Sequence, residues 1–304
     1  MSNDSGARRK RFCLVLHGAR AELPAIRHLV TWVREKGHTV EVRVTWEGGD
    51  AERFAREAAQ AQPPFDTILA AGGDGTVNEV VNGLAGSDAA FGIIPLGTAN
   101  DFARQAGIPD DPDHAMDVVL QNPAVSIDTA QANERRYLNV SVGGVAAEVT
   151  ADTPADAKES LGVLAYALSG LRKLTDLNPY TARFRGPDFD LQCKVLLFAV
   201  ANGTTTGGGT MIAPRADLRD GLLDVCIIEA LPRLDTGRML LKVRRGEHLG
   251  EDGVHYVQLP ELVVSVRRPI VVNVDGETSE ARRFVYAARP GDLRIHLPAR
   301  APEA

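Results

Sequence analysis

The chain has 304 residues, 44% hydrophobic and 24% charged, with a formal net charge of −6. At roughly 100–200 residues per domain the length suggests about two domains; the composition excludes disorder over the whole chain, and the acidic balance argues against a nucleic-acid partner, whose footprint is a basic excess. Cys13, Cys193 and Cys226 lie far apart with no CxxC pair, which argues against a zinc knuckle or thioredoxin-type site and suits a reducing compartment.

The basic cluster Arg8-Arg9-Lys10-Arg11 leads into the apolar run 12–16, shorter than the roughly 7–15 residues of a signal-peptide core. It reads as a first strand. Apolar residues at Leu23, Ile26, Leu29, Val30 and Val33 have a helical period over 23–35. Val40, Val42 and Val44 alternate with polar residues as a half-wet strand. A helix over 50–61 stops at Pro63-Pro64, a strand over 66–71 ends at Gly72-Gly73, a helix covers 76–84, a strand covers 91–95, and 97–105 opens another helix. Strands alternating with helices predict a doubly wound, Rossmann-like parallel sheet over 1–125, with ligands at the carboxyl ends of its strands.

From about residue 126 to 304 strands dominate: 125–128, 137–142, 180–184, 191–201, 222–229, 254–259, 261–267, 270–274, 284–288 and 293–297. That pattern predicts a mainly antiparallel β-sandwich. One helix over 158–177 carries the stripe Leu161, Leu164, Leu168, Leu171, whose expected partner is the sheet rather than a lipid surface. The longest apolar stretch, 195–201, is far below the roughly 20 residues of a membrane span, so the expected location is cytoplasmic.

Four segments carry candidate chemistry. Gly72-Gly73-Asp74-Gly75-Thr76 follows a strand and opens a helix. Its glycines let backbone N–H groups close on a phosphate, and a cation would reconcile Asp74 with that phosphate. The structural alternative is a turn capped by Thr76. Pro95-Leu96-Gly97-Thr98-Ala99-Asn100-Asp101-Phe102 ends the next strand and adds a second carboxylate. Asp217-Leu218-Arg219-Asp220-Gly221-Leu222 reads either as a hard-cation loop or as a solvated Asp-Gly turn. Val274-Asp275-Gly276-Glu277 reads either as an Asp-Gly hairpin or as a carboxylate presented to a cleft. Neither GxxxxGK[ST] nor GxGxxG occurs, and the seven histidines show no ligand spacing.

These motifs, in this order, resemble the diacylglycerol-kinase catalytic-domain family. Thr45-Trp46-Glu47-Gly48-Gly49-Asp50-Ala51, Ala201-Asn202-Gly203 and Gly207-Gly208-Gly209 narrow the likeness to its YegS-type lipid kinases, over about residues 12–298. The resemblance implies two domains with ATP in the interdomain cleft and a C-terminal tail that returns to the first domain. It implies nucleotide contacts from Thr45, Gly73, Asp74, Gly75, Thr76, Val77, Asn78, Glu79 and Thr98. It implies a structural cation, Mg²⁺ with Ca²⁺ as the alternative, on Asp220 and the carbonyls of Asp217 and Leu222. Glu277 would be the proton acceptor, while Asp74 and Asp101 would organise the catalytic cation. The implied activity is an ATP-dependent lipid kinase acting on a head-group hydroxyl, in peripheral contact with the inner face of the membrane. An NAD kinase-like phosphotransferase, or a regulator that binds nucleotide or lipid without turnover, is the alternative. One departure stands out: His17-Gly18-Ala19-Arg20 follows the first strand, where the family has Asn-Gly or Asn-Pro.

Overall fold

A computed structural model describes residues 8–144 and 179–299; the helix predicted over 158–177 lies outside the described residues. The chain divides into two units, one made of Met1–Leu96, Ala106–Val125 and Leu293–Ala304, the other of Gly97–Gln105 and Ser126–Asp292.

The first unit alternates β1 (Arg11–Leu16), α1 (Pro24–Glu35), β2 (Thr39–Val44), α2 (Asp50–Ala59), β3 (Thr67–Gly72), α3 (Asp74–Leu84) and β4 (Ala90–Pro95). A five-residue helix, α4 (Asp101–Gln105), groups with the second unit, and α5 (Pro112–Gln121) completes the helices of the first. β4, β3, β1 and β2 pair in that order, all parallel. Phe12, Cys13, Leu14 and Val15 are buried on both faces, as strands covered by helices on each side must be. α1 buries Ile26, Leu29 and Val33 at helical spacing. α2 meets α3 through small residues: a Cβ at Gly83 would lie 2.3 Å from the Glu52 carbonyl oxygen. α5 lies outside the helices that the sequence pattern predicts. Its opening Asp-Pro-Asp resembles a turn, yet Asp111 caps it by accepting from the N–H groups of Asp113 and His114, with Pro112 in the first turn.

The second unit contains β5 (Ala124–Ala132, beginning in the first unit), β6 (Arg135–Tyr137), β7 (Val140–Gly144), β8 (Tyr180–Gly186), β9 (Phe189–Ala201), β10 (Leu223–Glu229), α6 (Arg233–Arg245), β11 (Val254–Leu259), β12 (Glu261–Val274) and β13 (Glu277–His296). Its pairings are antiparallel, in the order β11-β10-β9-β7-β12-β13. β8 lies beside the other halves of β9 and β12. This is the expected antiparallel β-rich unit. One core packs Phe184, Phe198, Phe284 and Tyr286 inside the sandwich. A second packs β7, β9 and β10 against Met239, Leu240 and Val243 of α6. Arg294 and Ile295, at the end of β13, pair parallel with Ala90 and Phe91 of β4, so the returning tail adds a strand to the first unit's sheet.

Candidate active site

In the first unit the carboxyl ends of β1, β2 and β3 present three loops on one rim. β3 runs directly into α3: Gly73 is the N-cap and Asp74 the first helical residue. Thr76 therefore sits inside the first turn instead of capping it. The first-turn N–H groups of an α-helix have no intrahelical acceptor, and the helix dipole favours an anion there. Gly72 is required by contact, since a Cβ would lie 2.4 Å from Thr76 Oγ1 and 2.6 Å from Thr76 Cβ. Asp74 is half-buried and Gly75 exposed, whereas Val77 and Asn78 are buried along α3.

Glu79 has a partner that the sequence does not announce. Its carboxylate accepts from the Ala51 N–H at 3.1 Å, tying the start of α2 to α3. Thr45 is the first residue past β2, with its N–H on the Leu16 carbonyl, 2.9 Å, and its hydroxyl accepts from the Gly18 N–H at 3.1 Å. A Cβ at Gly18 would fall 2.3 Å from the Thr45 carbonyl oxygen. The loop holding His17 is thus packed against Thr45, and its backbone supplies the contact.

In the second unit, Asp101 is buried at the start of α4 and receives the N–H groups of Gly208 and Gly209 at 3.0–3.1 Å. The Gly207-Gly208-Gly209 turn, all at positive φ, is therefore held by a charge-assisted clamp. On the same helix Gln105 accepts from the Thr204 N–H and donates to Asn139 Oδ1. Thr98 is exposed, and its carbonyl receives Arg104.

Val274 and Glu277 pair across a two-residue turn in which Asp275 and Gly276 both have positive φ, 45° and 96°. This is a type I′ geometry. The buried Asp275 carboxylate accepts from the N–H groups of Leu138, Asn139 and Val140 at 2.7–3.2 Å. Glu277, half-exposed, pairs with Arg135 at 2.6 Å. Both line an open pocket of about 450 Å³ with Asn133, Thr278, Ser279 and Phe284.

The loop carrying Asp217, Asp220 and Leu222 precedes β10. Asp217 and Asp220 each accept from the N–H two residues on, Arg219 and Leu222. The loop hangs on Asp128, a buried residue that sequence reading passes over. Its carboxylate accepts from the Gly221 and Gly291 N–H groups, and its own N–H donates to the Leu218 carbonyl. Gln258 Nε2 reaches both Asp220 and Asp224, at 3.3 and 3.4 Å. Burial raises the Asp224 pKa above the usual carboxylate range, against the Tyr256 hydroxyl bond at 2.6 Å. Among the described residues no three His, Cys, Asp or Glu side chains gather as a metal cluster. The exposed Asp220 carboxylate in a carbonyl-bearing turn is an all-oxygen donor set suited to a hard, largely hydrated cation.

Comparison with known proteins defines the class. Residues 14–132 match the family described as "Diacylglycerol kinase catalytic domain", and residues 139–297 match the "YegS C-terminal NAD kinase beta sandwich-like domain". A Chromohalobacter salexigens protein described as "Probable lipid kinase YegS-like" is 40% identical over 94% of this chain and 92% of its own length. A Pseudomonas aeruginosa (strain UCBPP-PA14) protein of the same description is 41% identical over 95% of both chains. A crystal structure of a diacylglycerol kinase from Bacillus anthracis str. Sterne shares the fold with a TM-score of 0.72 at 20% identity, covering 96% of this chain and 98% of that one. The chain belongs to the diacylglycerol-kinase catalytic-domain family, in its YegS-like branch.

Proposed function

We propose that this chain is an ATP-dependent lipid kinase that transfers the γ-phosphate to a head-group hydroxyl, with diacylglycerol and phosphatidylglycerol as the acceptors to test first. The observation that carries this reading is the direct passage of β3 through Gly72-Gly73 into α3, with Asp74 as its first residue. Phosphoryl transfer is mostly positioning and charge neutralisation. Backbone N–H groups at the α3 N-terminus would receive phosphate oxygens, with Thr45 and Thr98 contributing further contacts. Asp74 would hold Mg²⁺, which neutralises phosphate charge when bound. Asp101 would act through the Gly208 and Gly209 N–H groups that it fixes.

Glu277 would take the proton of the acceptor hydroxyl as its oxygen bonds to the γ-phosphorus; the bond from that phosphorus to the bridging oxygen breaks, and ADP leaves. An exposed pair such as Arg135–Glu277 is worth at most about 1 kcal/mol, so it orients the carboxylate without committing it. Asp220, with the carbonyls of Asp217 and Leu222, would hold a structural Mg²⁺ or Ca²⁺. No described helix is long and apolar enough to cross a membrane, and the lipid would be met by peripheral contact at the cytoplasmic face.

The test is transfer of labelled γ-phosphate from ATP to mixed micelles containing each lipid in turn, with Mg²⁺ present and then chelated. Label in one lipid, lost on chelation and with Asp74→Ala, is expected. Label in NAD and in no lipid would replace this reading with the NAD kinase-like one; ATP binding without any transfer would leave a regulator.

A further inference from the structure

Trp46 is 95% exposed, although tryptophan is among the most buried side chains on average and its apolar area is worth most when covered. Its backbone is not loose. The N–H groups of Trp46 and Glu47 donate to the Asp50 carboxylate at 2.8 and 3.2 Å, and Arg53 pairs with Asp50 at 2.5 Å. The Trp46 N–H bond first, then the Arg53 bond, lowers the Asp50 pKa below the usual carboxylate range. The preceding residue, Thr45, is bonded to Leu16 and Gly18, and the following helix is bonded through Ala51 to Glu79 of α3. A large aromatic face is thus held in water by a loop tied on one side to the loop after β1 and, through Ala51, to helix α3.

The topology says what could cover it. From β1 the chain goes to β2 on one side, while β3 and β4 lie on the other. The ligand crevice of an open α/β sheet lies at such a switch, beyond the carboxyl ends of the strands. Trp46 follows β2, and the Gly73-Asp74 turn follows β3, two strand spacings or about 9.6 Å across the sheet. That is the scale of a nucleoside between its base and its phosphates. The Trp46 loop carries Glu47 and Asp50, the latter paired with Arg53, and no Lys or Arg of its own, so it lacks the basic cluster that draws a segment to an anionic bilayer.

We propose that the Trp46 indole is the platform on which the purine ring of the nucleotide stacks, which makes it a specificity-determining residue for an aromatic base. The proposal rests on the reading of the chain as a nucleotide-dependent kinase. Every base offers a π-face, so ATP and GTP would both use the platform, whereas tripolyphosphate would not.

The protein has two tryptophans, so Trp32→Phe leaves Trp46 as the sole indole. Its emission should be quenched by Mg-ATP and by Mg-GTP but not by Mg-tripolyphosphate. Trp46→Ala should weaken ATP binding by about 5- to 150-fold, raise KM for ATP more than it lowers kcat, and leave tripolyphosphate affinity unchanged. Trp46→Phe should recover most of the loss. Equal ATP affinity in Trp46→Ala and the parent would overturn the platform while the kinase reading stands. A parent that binds no ATP would overturn both. A blue shift of Trp46 emission with phosphatidylglycerol vesicles, without any response to ATP, would make the residue a bilayer anchor and reject stacking.

Discussion

The turn before Glu277 shows how one short segment can hold a fold together and still present a carboxylate. Asp275 and Gly276 make the hairpin turn and Asp275 holds three backbone N–H groups, while Glu277, the first residue past the turn, stays half-exposed beside Arg135. A hairpin and a catalytic carboxylate are therefore not rival readings of this motif. If Glu277 is the general base, Glu277→Gln keeps the shape, removes the basicity and lowers lipid phosphorylation by about 10²–10⁴-fold. ATP affinity should hold, because the loops after β1, β2 and β3 are untouched. The check is steady-state turnover beside ATP binding by calorimetry; near-normal turnover in a folded variant would move the base elsewhere. Asp275→Ala should behave differently. It strands the N–H groups of buried Leu138, Asn139 and Val140, each costing about 1–3 kcal/mol. A loss of about 3 kcal/mol or more in urea unfolding is expected, with activity falling only as the folded fraction falls.

At the scale of elements, β1, β3 and β4 are legible as short apolar runs bounded by turn residues, β2 by its period-two alternation, and α1 by its 3.6-residue period. The misses have physical causes. Among the described residues, the apolar side chains that α6 buries are Met239, Leu240 and Val243, too few to show a helical period, although Gly246 at positive φ and the basic last turn mark its end. Arg267-Arg268-Pro269 looks like a break, yet β12 runs through it with a register shift between Ser265 and Ile270. Arg289-Pro290-Gly291 looks like a turn, yet β13 continues into the first unit there. The loops' carboxylates were visible from composition, but their partners were not. Asp101 meets Gly208, Arg135 meets Glu277 and Asp128 meets Gly291 across sequence separations that no periodicity encodes.

The returning end of β13 also carries a titrating group. His296 lies 2.7 Å from the Asn122 carbonyl oxygen through Nδ1 and 3.0 Å from Thr67 Oγ1 through Nε2, which the neutral tautomer satisfies by donating to the first and accepting from the second. Burial, then Lys10 and Arg294, lower its pKa below the ordinary 6.5, against the Asn122 bond. The unfolded chain thus binds the proton more readily, so the stabilisation is full above about pH 6.5 and is lost as pH falls toward the folded value. Protection factors against hydrogen exchange at Phe91 and Ile295, taken relative to the intrinsic rate at each pH, should fall as pH drops below about 6.5, and His296→Gln should flatten that dependence. An unchanged pH profile in the variant would remove His296 as its source.

Over the whole molecule, the second unit's loops are organised by acidic residues that hold backbone. Asp128 joins the 217–222 loop to β13 through Gly221 and Gly291, and Asn202 donates to the Asp128 carbonyl. A hard cation on Asp220 would bind only the folded arrangement of that loop, because its carbonyl ligands are set by the turn at Gly221, φ 72°. A ligand at a hundred times its Kd stabilises the native state by about 2.7 kcal/mol. For a unit of this size that corresponds to a Tm shift of about 5–10 °C. Mg²⁺ should therefore raise the Tm of the parent protein by that order, and a chelator should reverse it. Asp220→Ala should start lower and respond to neither, while Asp217→Asn, which keeps its carbonyl, should respond almost as the parent does. Equal chelator shifts in the parent and Asp220→Ala would place the stabilising cation on other residues. A parent indifferent to Mg²⁺, Ca²⁺ and chelator alike would mean that Asp128 and the Leu222 and Gln258 contacts to Asp220 already complete the loop without a metal.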